Sequence, residues 1–315
     1  MRSPIDHCPL FSGRRRLAAA ITVAFLAAAC TQPQRGPVQV EGPQSQAQAA
    51  RAPDTPLPNR ADSLKFAVLG DFGNGTKEQY DTAAQMVRAH QRFPYELVIT
   101  VGDNIYGSER PQDFVKKFEI PYKPLLDADV KFYASLGNHD SREQRYYKLF
   151  NMEGKLYYAF KPGKQNVRFI ALESAYLVPE QMAWVQKELE GSREDWKIPY
   201  FHHPPYSSGE RHGSQTQIRE PLEPLFLKHN VSVVFTGHDH IYERVKPQQG
   251  IVYFVAGSGG QLRSGGVDRN TGITAVSNAT DRVFLLCEIS GDQLFFNAVT
   301  RTGQIIDSGV ITRRK

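Results

Sequence analysis

The stretch "TGHDHIYER" at 236–244 sets His238 and His240 one residue apart, directly after the apolar run "VSVVF". Side chains at i and i+2 of a strand face the same way. If the strand persists to His240, both imidazoles share a face and Asp239 takes the other. Such a pair can ligate a metal or can be polar decoration of a loop, and the pair alone does not decide. Further residues of the right chemistry occur elsewhere: Asp71, Asp103, Tyr106, Asn138, His139, His202, His203 and His212. One metal ion would be over-supplied by this set. Two ions sharing a bridging carboxylate suit it, and a pair about 3.5–4 Å apart is the clamp used in phosphate-ester hydrolysis.

Most of these residues close apolar, β-branched runs. "LKFAVLGD" stops at Asp71, "YELVITVGD" at Asp103 and "VKFYASLGNHD" at Asn138-His139-Asp140. "WKIPYFHHPP" carries His202-His203, and "VSVVFTGHDH" closes on His238 and His240. These runs read as buried strands. Helices are expected between them over 76–92, 111–126, 179–190 and 219–230, with Thr76 as an N-cap and Pro179 in a first turn. Alternating strands and helices make an α/β protein with a largely parallel or mixed sheet, which binds ligands at the carboxyl ends of its strands. Five strands with Asp, Asn and His at that end therefore converge on one crevice. After Asp281, "RVFLLCEI", "QLFFNAVT" and "IIDSGVIT" are separated by "SGDQ" and "RTGQ". These hairpin strands are expected to build a second sheet packed on the first, within one domain.

The chain has 315 residues, 40% of them hydrophobic and 11% aromatic, as in ordinary globular proteins. Its net charge is +5. Arg2, Arg14, Arg15, Arg16 and Asp6 carry +3 of this within the first 29 residues, and the remaining +2 gives no reason to expect a nucleic-acid partner. The basic cluster 14–16, an apolar run 17–29 too short to span a bilayer, and Ala27-Ala28-Ala29 before Cys30 read as a signal peptide over 1–29. The small residues before Cys30 resemble a bacterial lipoprotein cleavage site, with Cys30 acylated; the alternative is ordinary cleavage that leaves a free thiol. Either way the protein is expected outside the cytoplasm, in the periplasm or cell envelope, and in the lipoprotein reading it contacts a membrane only through the lipid on Cys30. Residues 31–61, rich in Gln, Pro and Ala, are expected to be a disordered tether, and 62–315 the folded domain. With Cys8 leaving in the signal and Cys30 lipidated, Cys287 stands alone as a buried apolar side chain and no internal disulfide is expected. Arg313-Arg314-Lys315 reads as a solvated tail.

In order along the chain, "GDFG", "GDNIY", "GNHD", "HHPP" and "GHDHIYER" resemble the five signature blocks of the calcineurin-like metallophosphoesterases, and most of all those of the purple acid phosphatases. The resemblance implies an α/β/β/α fold, two mixed β-sheets packed as a sandwich and flanked by helices. Most members of that family open with Asp-x-His. Here Phe72-Gly73 follow Asp71, so the histidine is missing. Tyr106, three residues after Asp103, supplies a compensating ligand, a swap the purple acid phosphatases share. A phenolate is a hard oxygen donor whose ordinary pKa lies near 10, and only a strongly polarising ion deprotonates it readily, which favours trivalent iron.

Carried over residue by residue, the resemblance assigns Asp71, Tyr106 and His240 to a ferric ion. It assigns Asn138, His202 and His238 to a divalent ion (iron, zinc or manganese) and Asp103 to both. It implies an acid phosphatase that hydrolyses phosphomonoesters by attack of a metal-bound hydroxide, with colour from the phenolate–iron bond. Asn138, His139, His203 and His212 would contact the substrate, with His139 and His212 as candidate acids for the leaving group. Asp140 is either a partner for an imidazole or a loop cap. Glu243 and Arg244 are an ion pair or a capping element, and "GSGGQLRSGG" a flexible loop near the crevice mouth. The expected partner is a small-molecule phosphate ester. The same scaffold supports a phosphodiesterase or nucleotidase reading. A third reading is a non-enzymatic protein whose metal only stabilises the fold.

Overall fold

Runs of β-branched and aromatic residues without a polar break form strands buried on both faces. The computed structural model describes residues 55–315, so the expected signal segment, Cys30 and most of the expected tether lie outside the described residues. β1 (Leu64–Leu69), β2 (Leu97–Val101) and β3 (Lys131–Ser135) pair in parallel. The end of the chain returns to add β11 (Val283–Ser290), β12 (Gln293–Thr300) and β13 (Ile305–Thr312) antiparallel on the other side of β1. The first sheet thus has the order β13-β12-β11-β1-β2-β3. The hairpin strands after Asp281 extend this sheet rather than forming the second one. β11 is buried along nearly its whole length, so both of its edges need hydrogen-bond partners, and pairing with β1 supplies the missing edge. Cys287 lies in that register opposite Phe66 as a free, buried side chain.

The second sheet is made by β4 (Tyr158–Phe160), β5 (Val167–Ala171), β6 (Trp196–Tyr200), β7 (Val233–Thr236), β8 (Tyr242–Val245), β9 (Val252–Ala256) and β10 (Thr274–Asn278). Its order is β10-β8-β9-β7-β6-β5-β4, with β5, β6, β7 and β9 parallel and the flanking strands antiparallel. The two mixed sheets interlock through aromatic rings set edge to face, an arrangement the ring quadrupole favours. Phe66 of β1 meets Phe169 of β5 at 5.2 Å and Phe235 of β7 at 6.1 Å, and Phe254 of β9 meets Phe296 of β12 at 5.0 Å.

Helices cover both outer faces. α1 (Lys77–Arg92) starts from Thr76, whose hydroxyl accepts from the Gln79 amide. α2 (Pro111–Phe114) and α3 (Ile120–Asp127) are joined by a π-helical turn, Val115–Glu119. Met86, Phe118 and Tyr122 from these elements share the core of the first sheet. α4 (Pro179–Gly191), begun by Pro179, and α5 (Thr216–Lys228) pack Val185, Leu189, Leu222 and Phe226 against Ile170, Val234 and Tyr253 of the second sheet. The layering is the expected α/β/β/α. No helix among the described residues is long and apolar enough to cross a membrane.

Both ends of the described chain are tied down. The amides of Asn59 and Arg60, within the expected tether, donate to the buried carboxylate of Glu288 at 2.6 and 2.7 Å, and Ser63 Oγ donates to it at 2.7 Å. A buried carboxylate requires such donors, which fixes this segment to β11. At the other end Arg313 pairs with Asp292 at 2.7 Å, so the basic terminus is held rather than free in solvent.

Candidate metal centre

The candidate residues follow the carboxyl ends of strands. The first sheet carries Asp71 after β1, Asp103 and Tyr106 after β2, and Asn138 and His139 after β3. The second carries His202 and His203 after β6, and His238 and His240 after β7. The backbone bends sharply at these exits. Asp71 (φ 53°), Asp103 (φ 51°) and His238 (φ 71°) occupy the left-handed region, which non-glycine residues adopt chiefly where a site demands it. Gly102, with φ 89°, has no room for a side chain: a Cβ there would lie 2.6 Å from His202 Nδ1.

β7 stops at Thr236, so the strand does not persist to His240 and the two imidazoles do not share a strand face. The left-handed turn at His238 interrupts the alternation and sends them to separate partners. His238 Nδ1 lies 3.1 Å from His202 Nε2, and His240 Nε2 lies 3.1 Å from the Tyr106 hydroxyl.

Two groups of side chains result. In the first, the Tyr106 hydroxyl sits 3.2 Å from Asp71 Oδ1, 3.0 Å from Asp103 Oδ2 and 3.1 Å from His240 Nε2. In the second, His202 Nε2 sits 3.1 Å from Asn138 Oδ1 and from His238 Nδ1. Asp103 links them, because its other oxygen, Oδ1, lies 3.5 Å from His202 Nε2. The ligand atoms of Asp71, Asp103 and His240 fall within 4.8 Å of one another, as do those of His202, His203 and His238. All seven residues that the resemblance assigns to metal are therefore brought together.

The electrostatics of the pocket call for cations. Asp71 and Asp103 are buried, and burial raises both carboxyls above their ordinary range, with the charge of Asp103 adding to the shift at Asp71. Among the described residues neither has a lysine or arginine ion partner; the basic side chains paired with them are those of His240 and His202. Burial, then the charges of Asp71 and Asp103, drive the Tyr106 phenol far above its ordinary value. Burial and crowding by neighbouring imidazoles push His202 and His238 well down, and burial holds His203 and His240 at about 4. Neutral imidazoles present free lone pairs, whereas buried acids without a counter-cation are costly. Carboxylate, phenol and amide oxygens together with neutral nitrogens form a donor set that fits two metal cations, which would reverse the upward shifts on the oxygen groups.

The surrounding residues orient these ligands. His202 Nδ1 lies 2.9 Å from the Val101 carbonyl, which aims Nε2 into the pocket. His203 Nδ1 meets Ser174 Oγ at 2.9 Å. The Lys117 ammonium, from the π-helical turn, donates to the Tyr106 carbonyl at 2.6 Å. Ser174 and Lys117 were not picked out from the sequence. For Ser174 a signal existed, since "VRFIALES" is another apolar run ending in polar residues.

Asp140 touches no imidazole. It accepts from the amides of Asn104, Ile105 and Gly137 at 2.9, 3.1 and 2.9 Å and so clamps the loops after β2 and β3 together. Glu243 and Arg244 do not pair with each other, because consecutive strand residues face opposite sides. Glu243 accepts from the Ser208 amide at 2.7 Å and the Thr274 hydroxyl at 2.6 Å, while Arg244 pairs with Asp307 at 2.7 Å. The glycine-rich segment is a buttress rather than a loose loop. Its Gln261 amide donates to the Asp71 carbonyl and its Arg263 amide to the His240 carbonyl, both at 2.9 Å.

His139 and His212 stand at the solvent side. The His139 ring lies 4.9 Å from that of Tyr106, and its amide donates to Asp103 Oδ1 at 2.9 Å. The His212 ring lies over His238, with centroids 4.0 Å apart and a tilt of 39°. The loop bearing His212 is held from beneath by buried Asp239, which accepts from Ser207 Oγ at 2.6 Å and from the Gly213 amide at 3.1 Å.

The calcineurin-like phosphoesterase family matches residues 64–242, a span that includes all seven grouped side chains. Tartrate-resistant acid phosphatase type 5 of Homo sapiens is 26% identical over 248 residues, covering 64% of this chain and 76% of its own length. Fe(3+)-Zn(2+) purple acid phosphatase 12 of Arabidopsis thaliana is 27% identical over 215 residues, covering 60% of this chain and 45% of its own length. Purple acid phosphatase PPD1 from yellow lupin (Lupinus luteus) superposes with a TM-score of 0.67 at 18% identity over 82% of this chain and 55% of that one, a likeness of fold.

Proposed function

This chain belongs to the calcineurin-like phosphoesterase family, and we propose that it is an acid phosphatase of the purple type, hydrolysing phosphomonoesters at a binuclear metal centre. The arrangement that carries this reading is the Tyr106 hydroxyl set among Asp71, Asp103 and His240 in a chain with glycine, not histidine, at position 73. We assign Asp71, Tyr106 and His240 to a ferric ion, Asn138, His202 and His238 to a divalent ion, and Asp103 to both. The iron–zinc relative supports that pairing. When bound, the ions would supply Lewis acidity towards the phosphoryl oxygens and lower the pKa of water.

The chain's own groups do the remaining work. Asn138 and His139, exposed at the mouth, and His203 beside them hold the phosphoryl oxygens of the ester. His212 gives a proton to the leaving oxygen. Burial lowers its pKa, which makes the protonated ring a stronger proton donor. Asp239 keeps the His212 loop in register with His238.

Metal analysis and a visible spectrum of the protein as isolated, with turnover of monoester and diester chromogenic substrates, test the reading. Two metals per chain, visible absorption and a preference for monoesters are expected. A preference for diesters would assign the site to phosphodiester hydrolysis instead. A folded but inactive Asp103→Ala variant supports catalysis, whereas its collapse together with an inactive wild type would make the metal purely structural.

We further propose that the protein is exported and tethered to a membrane in the periplasm or cell envelope through acylated Cys30, with the membrane touched only by that lipid. The basic cluster 14–16, the apolar run 17–29 and the three alanines before Cys30 support this. Incorporation of labelled palmitate, lost in Cys30→Ala together with release into the soluble fraction, is the expected result. An unlabelled wild type would mean ordinary secretion.

A further inference from the structure

Next to the metal centre lies a cavity of about 430 Å³, bounded by Asn138 and His203 on one side and by Arg142, Glu173 and Tyr176 on the other. The last three take no part in the chemistry assigned above. Tyr176 is 60% exposed, unusual for a large ring, yet it is paired: the Arg142 guanidinium lies 5.6 Å from its centroid. Arg142 Nε in turn lies 3.9 Å from Glu173 Oε2. Glu173 is buried. Its Oε1 accepts from the Ala175 amide at 2.8 Å, but Oε2 has no hydrogen-bond partner. A buried carboxylate oxygen on a cavity wall without a donor carries a desolvation cost that a ligand donor would relieve.

We propose that this cavity is a leaving-group subsite for planar aromatic alcohols. The phosphoryl group rests at Asn138 and His203, the ring stacks on the wall formed by Tyr176 and Arg142, and a hydrogen-bond donor on the ring reaches Glu173 Oε2. The volume suits a single-ring leaving group in a mostly pre-formed pocket. An exposed phenol ring with a guanidinium beside it rewards a planar π surface, whereas an alkyl chain gains little from it. This subsite rests on the phosphomonoesterase reading and narrows its substrates to aromatic phosphate esters.

The purified full chain is tested as wild type, Tyr176→Ala and Tyr176→Phe. Hydrolysis of phenyl phosphate is compared with that of glycerol 2-phosphate, and calorimetric binding of phenylphosphonate with that of methylphosphonate. Tyr176→Ala should raise KM for phenyl phosphate and Kd for phenylphosphonate about tenfold, and leave both alkyl partners within about twofold. Tyr176→Phe, which keeps the ring, should behave as wild type. The wild type should also prefer 4-(hydroxymethyl)phenyl phosphate to 4-ethylphenyl phosphate by about fivefold through the donor to Glu173. An equal effect of Tyr176→Ala on both members of each pair, or no effect, overturns the subsite. A wild type that hydrolyses neither ester overturns the phosphatase reading instead, and phosphonate binding then judges the subsite alone.

Discussion

The hydroxyl of Tyr106 stands 3.0 Å from Asp103 Oδ2. At that distance a neutral phenol donates to the carboxylate, and burial with two flanking negative charges opposes its ionisation. Only a polarising cation in the same group of side chains reverses that balance. Tyr106→Phe removes the oxygen and keeps the ring against His139. It should abolish the visible absorption of the isolated protein and lower its iron content, with circular dichroism unchanged. The same absorption band in the variant would contradict the assignment.

His212 approaches the centre only through its ring over His238, where it can serve a departing oxygen without holding metal. His212→Ala should slow alkyl phosphates by about 100-fold or more, in the range of one lost general acid, and 4-nitrophenyl phosphate far less. Equal slowing of the two ester types would remove His212 from that role.

Asp239 acts at one remove. Its carboxylate collects two donors, Ser207 Oγ and the Gly213 amide, beneath the loop that presents His212. Both donors meet the same oxygen, Oδ2, so Asp239→Ala would leave both without an acceptor. Urea unfolding should show a loss of about 1–3 kcal/mol, and the variant should copy the leaving-group dependence of His212→Ala while retaining both metals. Normal kinetics with normal metal content would show that the loop holds its place without this anchor.

How far the site could be read from the sequence follows from local physics. Asp71, Asp103, Asn138, His202 and His238 stand out because buried runs stop abruptly at polar residues there, and strand ends in such sheets share one edge. Turn chemistry identifies β12 and β13 as hairpin partners of β11, but it is silent on which strand takes the other edge of β11. That neighbour, β1, lies at the opposite end of the folded chain. The period-two count fails at His238 because one residue with φ 71° breaks it. Arg142, which opens a short 3-10 helix, and Glu173 and Tyr176, in the loop after β5, escape notice because no periodic pattern marks them.

Glu194 offers a test of charge in the scaffold. It is buried, accepts from Ser192 Oγ at 2.7 Å, and pairs with Arg168 at 3.0 Å and with Lys161. Burial by itself would raise its carboxyl, but the hydrogen bonds from Arg168, Lys161 and Ser192 outweigh burial and hold it below the usual carboxylate range. Stabilisation from a depressed acid is complete above its unfolded value, near 4.3, and is lost as pH falls towards the folded value. Glu194→Gln should therefore lower Tm by several degrees at pH 7, with the gap to wild type narrowing at pH 3. A gap independent of pH would mean that packing, not charge, was lost.

Asp71, Asp103 and Asn138 hang from one sheet, and His202, His238 and His240 from the other. Ions gripped by both sets would work as a rivet through two plates. Slippage of one plate along the other would spoil both halves of the grip at once, so turnover becomes a gauge of interlayer alignment. Chelation, by the same linkage, would loosen the whole sandwich and not a single loop.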